Sequence, residues 1–97
     1  MTIEANTWLY VAIQQKGPSE QIVGQTDSKH AISYIPAFFD KETAHQAMFH
    51  LHLEKKSKYE IQAIIYEDLA RHAMKNGFLI FVLNEDGQVL ERLPVAS

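Results

Sequence analysis

The chain has 97 residues, of which 46% are hydrophobic and 22% are charged, and its formal net charge is −3. This composition fits a single domain, residues 1–97, with one hydrophobic core. Twelve acidic against nine basic residues do not give the basic excess of nucleic-acid-binding domains, so DNA and RNA are not expected partners. The absence of cysteine excludes disulfides, thiolate metal ligands and cysteine nucleophiles.

The sequence shows no sign of a membrane protein. No stretch has the length and apolar character of a membrane span, and residues 1–7 lack the charged and then apolar pattern of a secretion signal. We therefore expect a cytoplasmic protein with no membrane partner.

The amino-terminal part of the chain predicts three strands. Residues 8–14 alternate between two sets of largely apolar side chains, which is typical of a strand covered on both faces. A turn at Gly17-Pro18 leads to a short strand at residues 21–25, and the polar residues 26–30 predict a turn or loop. Residues 31–39 predict the third strand. Because Pro36 has no amide hydrogen to donate, we expect this strand to be irregular, divided or at a sheet edge there.

A first helix is predicted at residues 41–54, directly after the third strand. Asp40 is its candidate N-cap. Its core-facing residues recur at helical spacing, at Ala44, Ala47, Met48 and Leu51.

The second half of the chain predicts a strand, a helix and two more strands. Residues 59–65 alternate as a strand and lead into a short helix that ends at Asn76-Gly77. Residues 78–83 are six consecutive apolar residues, typical of a buried strand, and we expect them to form a right-handed β-α-β unit with residues 61–65 as their parallel neighbour. The short loop that follows predicts an antiparallel last strand at residues 88–93.

Together these elements predict an α+β or α/β domain. We expect a single mixed β-sheet of five to six strands with two helices, in the order β-β-β-α-β-α-β-β. Residues 78–83 should lie at its centre, with both helices on one face of the sheet.

Two stretches carry a resemblance to a known family. The first is Ile35-Pro36-Ala37-Phe38-Phe39-Asp40, where a strand runs into a helix cap. The second runs from Asp68-Leu69-Ala70 through Gly77 to Val82-Leu83-Asn84. Together they cover about half of the chain and resemble the SseB-type domain, in particular the amino-terminal one. This resemblance implies a small α/β domain of uncertain biochemical role and supplies no catalytic residue.

The five histidines raise the question of a metal site, since His45, His50 and His52 all fall in the first predicted helix. A zinc-binding pair on a helix has i, i+4 spacing, which no two of these residues have. His45 and His52 would share a helix face but lie about 10 Å apart along the axis. We therefore expect no metal site.

Asp68 and His72 have the i, i+4 spacing of an acid that orients a histidine base. No serine shows a recognisable activation motif, so an exposed ion pair is the favoured interpretation. The four glycines are dispersed singly and do not form a phosphate-binding loop. The sequence thus predicts neither a catalytic residue nor a cofactor, and it favours a protein that is not an enzyme.

One feature of the first predicted helix indicates a contact surface. Phe49 and Leu53 lie outside the core-facing stripe at i, i+4 spacing, with His45 and His52 beside them. The alternatives are a helix that buries a wider arc, or a single exposed aromatic residue at Phe49.

Two functions follow from these observations. The favoured one is a non-enzymatic accessory or protein-interaction domain that binds a protein partner or a second copy of itself as a homodimer. The alternative is a small enzyme or ligand-binding domain. It would require a shallow cleft in which His30, Tyr34 or His72 meets a carboxylate.

Overall fold

The computed structural model describes residues 3–94, in which one mixed seven-stranded sheet is accompanied by two α-helices. The elements in chain order are β1 (Trp8–Lys16), β2 (Ser19–Ile22), β3 (Gln25–Asp27), β4 (Ile32–Phe38), α1 (Lys41–Ala47), a 3₁₀ turn (Met48–His50), β5 (Lys58–Ile65), α2 (Tyr66–Asn76), β6 (Leu79–Leu83) and β7 (Val89–Leu93). The predicted class is confirmed, with more strands than the five to six expected. Neither helix in this part of the chain is long and apolar enough to cross a bilayer.

The sheet is organised around β1 and β4. One edge of β1 pairs along its length with β5, while the other edge pairs with β4 near its start and β2 near its end. β4 in turn pairs in parallel with β6, which is followed by β7. The long strands therefore run in the order β5-β1-β4-β6-β7, and the short strands β2 and β3 lie where β1 and β4 diverge.

Pro36 marks the point at which β4 changes partners. On one edge β4 pairs with β1 at Ala37 and Phe38, and with β3 at residues 32–34. Pro36 lies between these two ladders and has no amide hydrogen to extend either of them. The expected irregularity is present, although Pro36 is buried inside the sheet.

β6 is an interior strand, as predicted, but the middle strand of the sheet is β4 and not β6. The parallel neighbour of β6 is β4 and not β5. β5 pairs only with β1 among the described strands, so the expected adjacency of residues 61–65 and 78–83 is wrong. The physical reason is the length of β1. It forms eight consecutive residue pairs with β5, whereas β6 has only five residues with which to pair. β5 and β6 still run in the same direction, because β1 is antiparallel to both β5 and β4.

The two helices pack on opposite faces of the sheet, which corrects the expectation of a single face. α1 buries Ala44 and Ala47 in one hydrophobic cluster, and α2 buries Leu69 and Ala73 in another. Successive residues of β1 alternate between these clusters. The chain leaves β4 through α1 toward β5, and it returns through α2 toward β6. Two right-handed crossovers in opposite directions place their helices on opposite faces.

α1 begins where predicted but ends much earlier. The Asp40 side chain accepts a hydrogen bond from the Thr43 N–H at 2.8 Å, which confirms the N-cap. At Leu51 the backbone is extended, with φ −95° and ψ 152°. In a longer helix the His52 N–H would donate to the carbonyl of Met48. It donates instead to Gln25 Oε1 at 2.8 Å, so a tertiary hydrogen bond replaces the next turn of helix.

The remaining predictions for the carboxyl-terminal half are confirmed. α2 buries Leu69 and Ala73 and ends at Gly77, whose φ of 76° is the left-handed conformation of a helix C-cap. A turn at residues 84–87 joins β6 to the antiparallel β7. A bulge in β7 leaves Leu90 between Val89, which pairs with Leu83, and Glu91, which pairs with Val82.

Candidate functional site

The predicted contact surface of His45, Phe49, His52 and Leu53 does not form one helix flank. His45 and Phe49 lie on the helical segment and are exposed, Phe49 to 91%. His52 and Leu53 follow on an extended segment, and Leu53 is half-buried against the cluster that contains Phe38. The expected shared face of His45 and His52 is wrong, because the helix ends before residue 52.

Phe49 lies on the 3₁₀ turn, which packs against the turn between β6 and β7. The neighbouring His50 packs against the β6–β7 turn, where a Cβ added to Gly87 would lie 3.0 Å from the His50 Cβ. Leu90, just after that turn, is 58% exposed. The segments that carry these two exposed apolar side chains therefore meet at one end of the molecule.

Asp68 and His72 on α2 do not form the expected ion pair with each other. Asp68 binds Arg71 Nη1 at 3.1 Å, and Glu67 binds Arg71 Nη2 at 3.3 Å. The Asn76 side chain donates to the main-chain carbonyl of His72 at 2.9 Å. Asp68 thus forms a surface ion pair with Arg71 and does not orient His72. Within residues 3–94, no three His, Asp or Glu side chains come close enough together to hold a metal ion.

A cleft of about 460 Å³ lies between β3 and β7 and opens at the amino ends of the parallel strands β4 and β6. Its lining residues are Asp27, His30, Ile32, Leu79, Phe81, Val89, Arg92 and Leu93. It brings a histidine and a carboxylate together in a concave site, which is the arrangement required by the alternative function. Of the three residues named for that cleft, His30 lines it, Tyr34 packs behind it, and His72 lines a different groove.

One wall of the cleft is a hydrogen-bonded turn between β3 and β4. Asp27 Oδ1 accepts the main-chain N–H groups of Lys29 and His30, at 3.1 and 3.3 Å. Asp27 Oδ2 lies 2.9 Å from His30 Nδ1. The side-chain hydrogen bond with His30 lowers the pKa of the Asp27 carboxyl. An ionised carboxylate only accepts hydrogen bonds, so Nδ1 carries the proton, and Nε2 of a neutral ring is left as an acceptor.

The floor of the cleft is aromatic. The rings of Phe81 and Tyr34 stack with centroids 4.7 Å apart, and the Arg92 guanidinium lies over Phe81 with its Cζ 5.4 Å from the ring centroid. Burial raises the pKa of Tyr34, and the charge of Asp27 acts in the same direction. Tyr34 therefore contributes a neutral ring, and Arg92 contributes the cation of the site.

A groove of about 340 Å³ lies along α2 beside Ala5. Its cation, Arg71, is engaged by Glu67 and Asp68. The groove is otherwise formed largely by apolar groups, including those of Ala70 and Met74. It offers fewer uncommitted polar groups to a ligand than the cleft between β3 and β7.

Asp27 and Arg92 line the cleft but are not among the predicted site residues, although the sequence pattern around each indicates its position. Asp27 lies in the predicted polar loop two residues before Lys29, which is the spacing of an Asx turn. Arg92 lies opposite Phe81 in the predicted hairpin between the last two strands. The pairing of β3 with β4, which brings Asp27 to this end of the sheet, was not predicted because β3 has only three residues.

Comparisons with models of known protein families, with curated proteins and with solved structures give no match for this chain. The resemblance to the SseB-type domain therefore stays a prediction.

Proposed function

We propose that this chain is a non-enzymatic protein-interaction domain of the cytoplasm, and that it forms a homodimer through the surface around Phe49. The observation that supports this proposal is the 91% exposure of the Phe49 residue on a turn packed against the β6–β7 hairpin. Because this aromatic side chain is almost fully exposed to water, burying it in a contact would gain almost all of its hydrophobic free energy of burial.

The energetics favour a symmetric contact. Transferring an exposed Phe side chain into an apolar interface is worth roughly 1.5 to 3 kcal/mol. About a two-fold axis the same side chain is used twice, once from each protomer. Leu90 would extend the contact, and His45 would lie at its edge. The two sequence-predicted members on the extended segment, His52 and Leu53, would take part only at the margin.

The proposal is tested by the oligomeric state in solution. Sedimentation velocity of the wild-type chain at high micromolar concentration should show a dimer. The variant Phe49→Glu should be a folded monomer, since it places a charge in the apolar contact and leaves the buried Ala44 and Ala47 unchanged.

Met74→Glu is the matched control, because Met74 is 50% exposed on α2, on the other face of the sheet. It should leave the dimer intact. A monomeric wild type, or a Phe49→Glu variant that dimerises as the wild type does, would contradict the proposal.

A further inference from the structure

No residue of α1 lines the cleft between β3 and β7. Ala44 and Ala47 of α1 pack in the cluster that also holds Phe38 and Leu83, the residues at the carboxyl ends of β4 and β6. At the amino end of β6, Leu79 lines the cleft and is 41% exposed. The cleft volume of about 460 Å³ falls within the range typical of small-molecule sites.

Two polar groups of different chemistry line this cleft. The Asp27–His30 hydrogen bond orients the imidazole so that a neutral ring presents Nε2 as an acceptor. The Arg92 guanidinium can donate up to five hydrogen bonds. The ion pairs found among residues 3–94 do not include Arg92. A ligand that satisfies both groups needs an anionic end and a hydrogen-bond donor.

The rest of the cleft is apolar. Ile32 and Leu79 offer an apolar surface for a ring or a short alkyl chain, while Phe81 is only 6% exposed, with Tyr34 and Arg92 packed on its ring. The Arg92 guanidinium already lies over the Phe81 ring, and this contact reduces the entropic cost of ordering it when a ligand binds. The formal net charge of −3 disfavours non-specific attraction of anions, so the selectivity would have to come from Arg92 itself.

We propose that this cleft binds a small organic carboxylate with an apolar body and a hydroxyl group. The carboxylate pairs with the Arg92 guanidinium, where a bidentate interaction is available. The apolar body lies on Ile32 and Leu79, and the hydroxyl donates to His30 Nε2. Asp27 acts as a positioning residue that keeps the proton of the His30 ring on Nδ1.

The test is a titration of the uniformly ¹⁵N-labelled chain, followed by its amide NMR spectrum. Three probes that differ by one group are compared: para-hydroxyphenylacetate, phenylacetate without the hydroxyl, and para-hydroxyphenylacetamide without the charge. The first should give saturable shifts at residues 27–32, 79–81 and 92. The neutral amide should bind at least about tenfold more weakly, since it loses a charge-assisted pair. Phenylacetate should bind more weakly by a smaller factor.

Protein variants assign the two ends of the ligand. Arg92→Gln should weaken para-hydroxyphenylacetate at least about tenfold and remove its preference over the neutral amide. His30→Ala should lower the affinity for para-hydroxyphenylacetate toward that for phenylacetate. Arg71→Gln on α2 is the matched control for loss of a cation and should leave the affinity unchanged.

Three results would overturn the proposal. They are the absence of saturable shifts in the wild type, equal affinity for the carboxylate and its amide, and equal losses in Arg92→Gln and Arg71→Gln. The comparison of carboxylate with amide uses the wild-type chain alone, so it decides the matter even if Arg92→Gln does not fold. Phe49→Glu should bind the probe as the wild type does, which separates this proposal from that of the dimer.

Discussion

The Gln25 side chain makes two hydrogen bonds to the main chain of His52. Its Oε1 accepts the His52 N–H at 2.8 Å, and its Nε2 donates to the His52 carbonyl at 2.9 Å. These are the two bonds that a facing residue of a neighbouring strand would make. Gln25 is 7% exposed and is the one buried polar residue within residues 3–94. It ties the segment after the 3₁₀ turn to β3 and fixes where the helical segment ends.

Replacing this side chain should destabilise the domain. Gln25→Ala leaves the main-chain N–H and carbonyl of His52 without their partners, so we expect a loss of about 1 to 3 kcal/mol in the free energy of unfolding. Chemical denaturation measures it. Gln21→Ala in β2 is the control, since Gln21 is exposed, and it should change stability by less than about 0.5 kcal/mol. Equal effects of the two substitutions would show that the Gln25–His52 bonds contribute little.

The cap of α1 should make stability depend on acid pH. The hydrogen bond from the Thr43 N–H lowers the pKa of Asp40 from its ordinary value of 3.8. A carboxyl with a lowered folded-state pKa stabilises the fold above its unfolded pKa, and this contribution is lost as the pH falls through the folded value.

The uncharged variant Asp40→Asn isolates this effect, because Asn is also a good N-cap but does not titrate. From about pH 4 downward, the melting temperature of the wild type should fall relative to that of Asp40→Asn. Above that range the difference should be constant. A difference that is the same at pH 7 and pH 2 would contradict the role assigned to the carboxylate.

The turn that carries His30 contains a strained residue. Ala31 has a φ of 53°, a left-handed conformation that Gly adopts without steric cost. Ala31→Gly should therefore raise the free energy of unfolding, by about 0.5 to 1 kcal/mol.

The same exchange in a strand should have the opposite sign. Ala63 is exposed in β5, and Ala63→Gly should lower stability because Gly loses more backbone entropy on folding. Thermal unfolding of the two variants compares them directly. A lower melting temperature for Ala31→Gly would show that the turn is not strained.

β6 offers a test of the interior strand at two positions on opposite faces. Val82 is fully buried, whereas Leu79 is 41% exposed. Val82→Asp should prevent folding, because burying an unpaired carboxylate costs more than the roughly 5 to 15 kcal/mol that stabilises a domain. Leu79→Asp should remain folded. Circular dichroism and the amide NMR spectrum distinguish these outcomes, and a folded Val82→Asp with the wild-type melting temperature would contradict the interior placement of β6.

Local patterns predicted most of the elements. Alternating apolar residues located β1 and β5, and the left-handed Gly77 ended α2 where expected. Each of these signals depends on neighbours in the sequence, so the sequence alone carries it.

Long-range contacts account for what was missed. The helical pattern of residues 41–54 was strong enough to predict a longer helix. The hydrogen bond that the His52 N–H donates to Gln25 Oε1 stops that helix, and no local pattern encodes this bond. The partner of β6 depends on competition between strands for the edges of β1 and β4. The cleft was missed in part for the same reason, since Asp27 and Arg92 come from strands that are far apart in the sequence.

The pairing of β1 with β5 affects how the chain folds as it is synthesised. Trp8 pairs with Ile65 and Gln15 with Lys58, so the longest ladder of the sheet joins the start of the chain to a strand made much later. Both hydrophobic clusters contain residues of β1 and of β6. On a ribosome, β1 and β2 can form their local hairpin early, but neither face of the sheet is closed until β6 has emerged. Such a high contact order slows folding and leaves the edges of β1 and β4 open to other chains in the meantime.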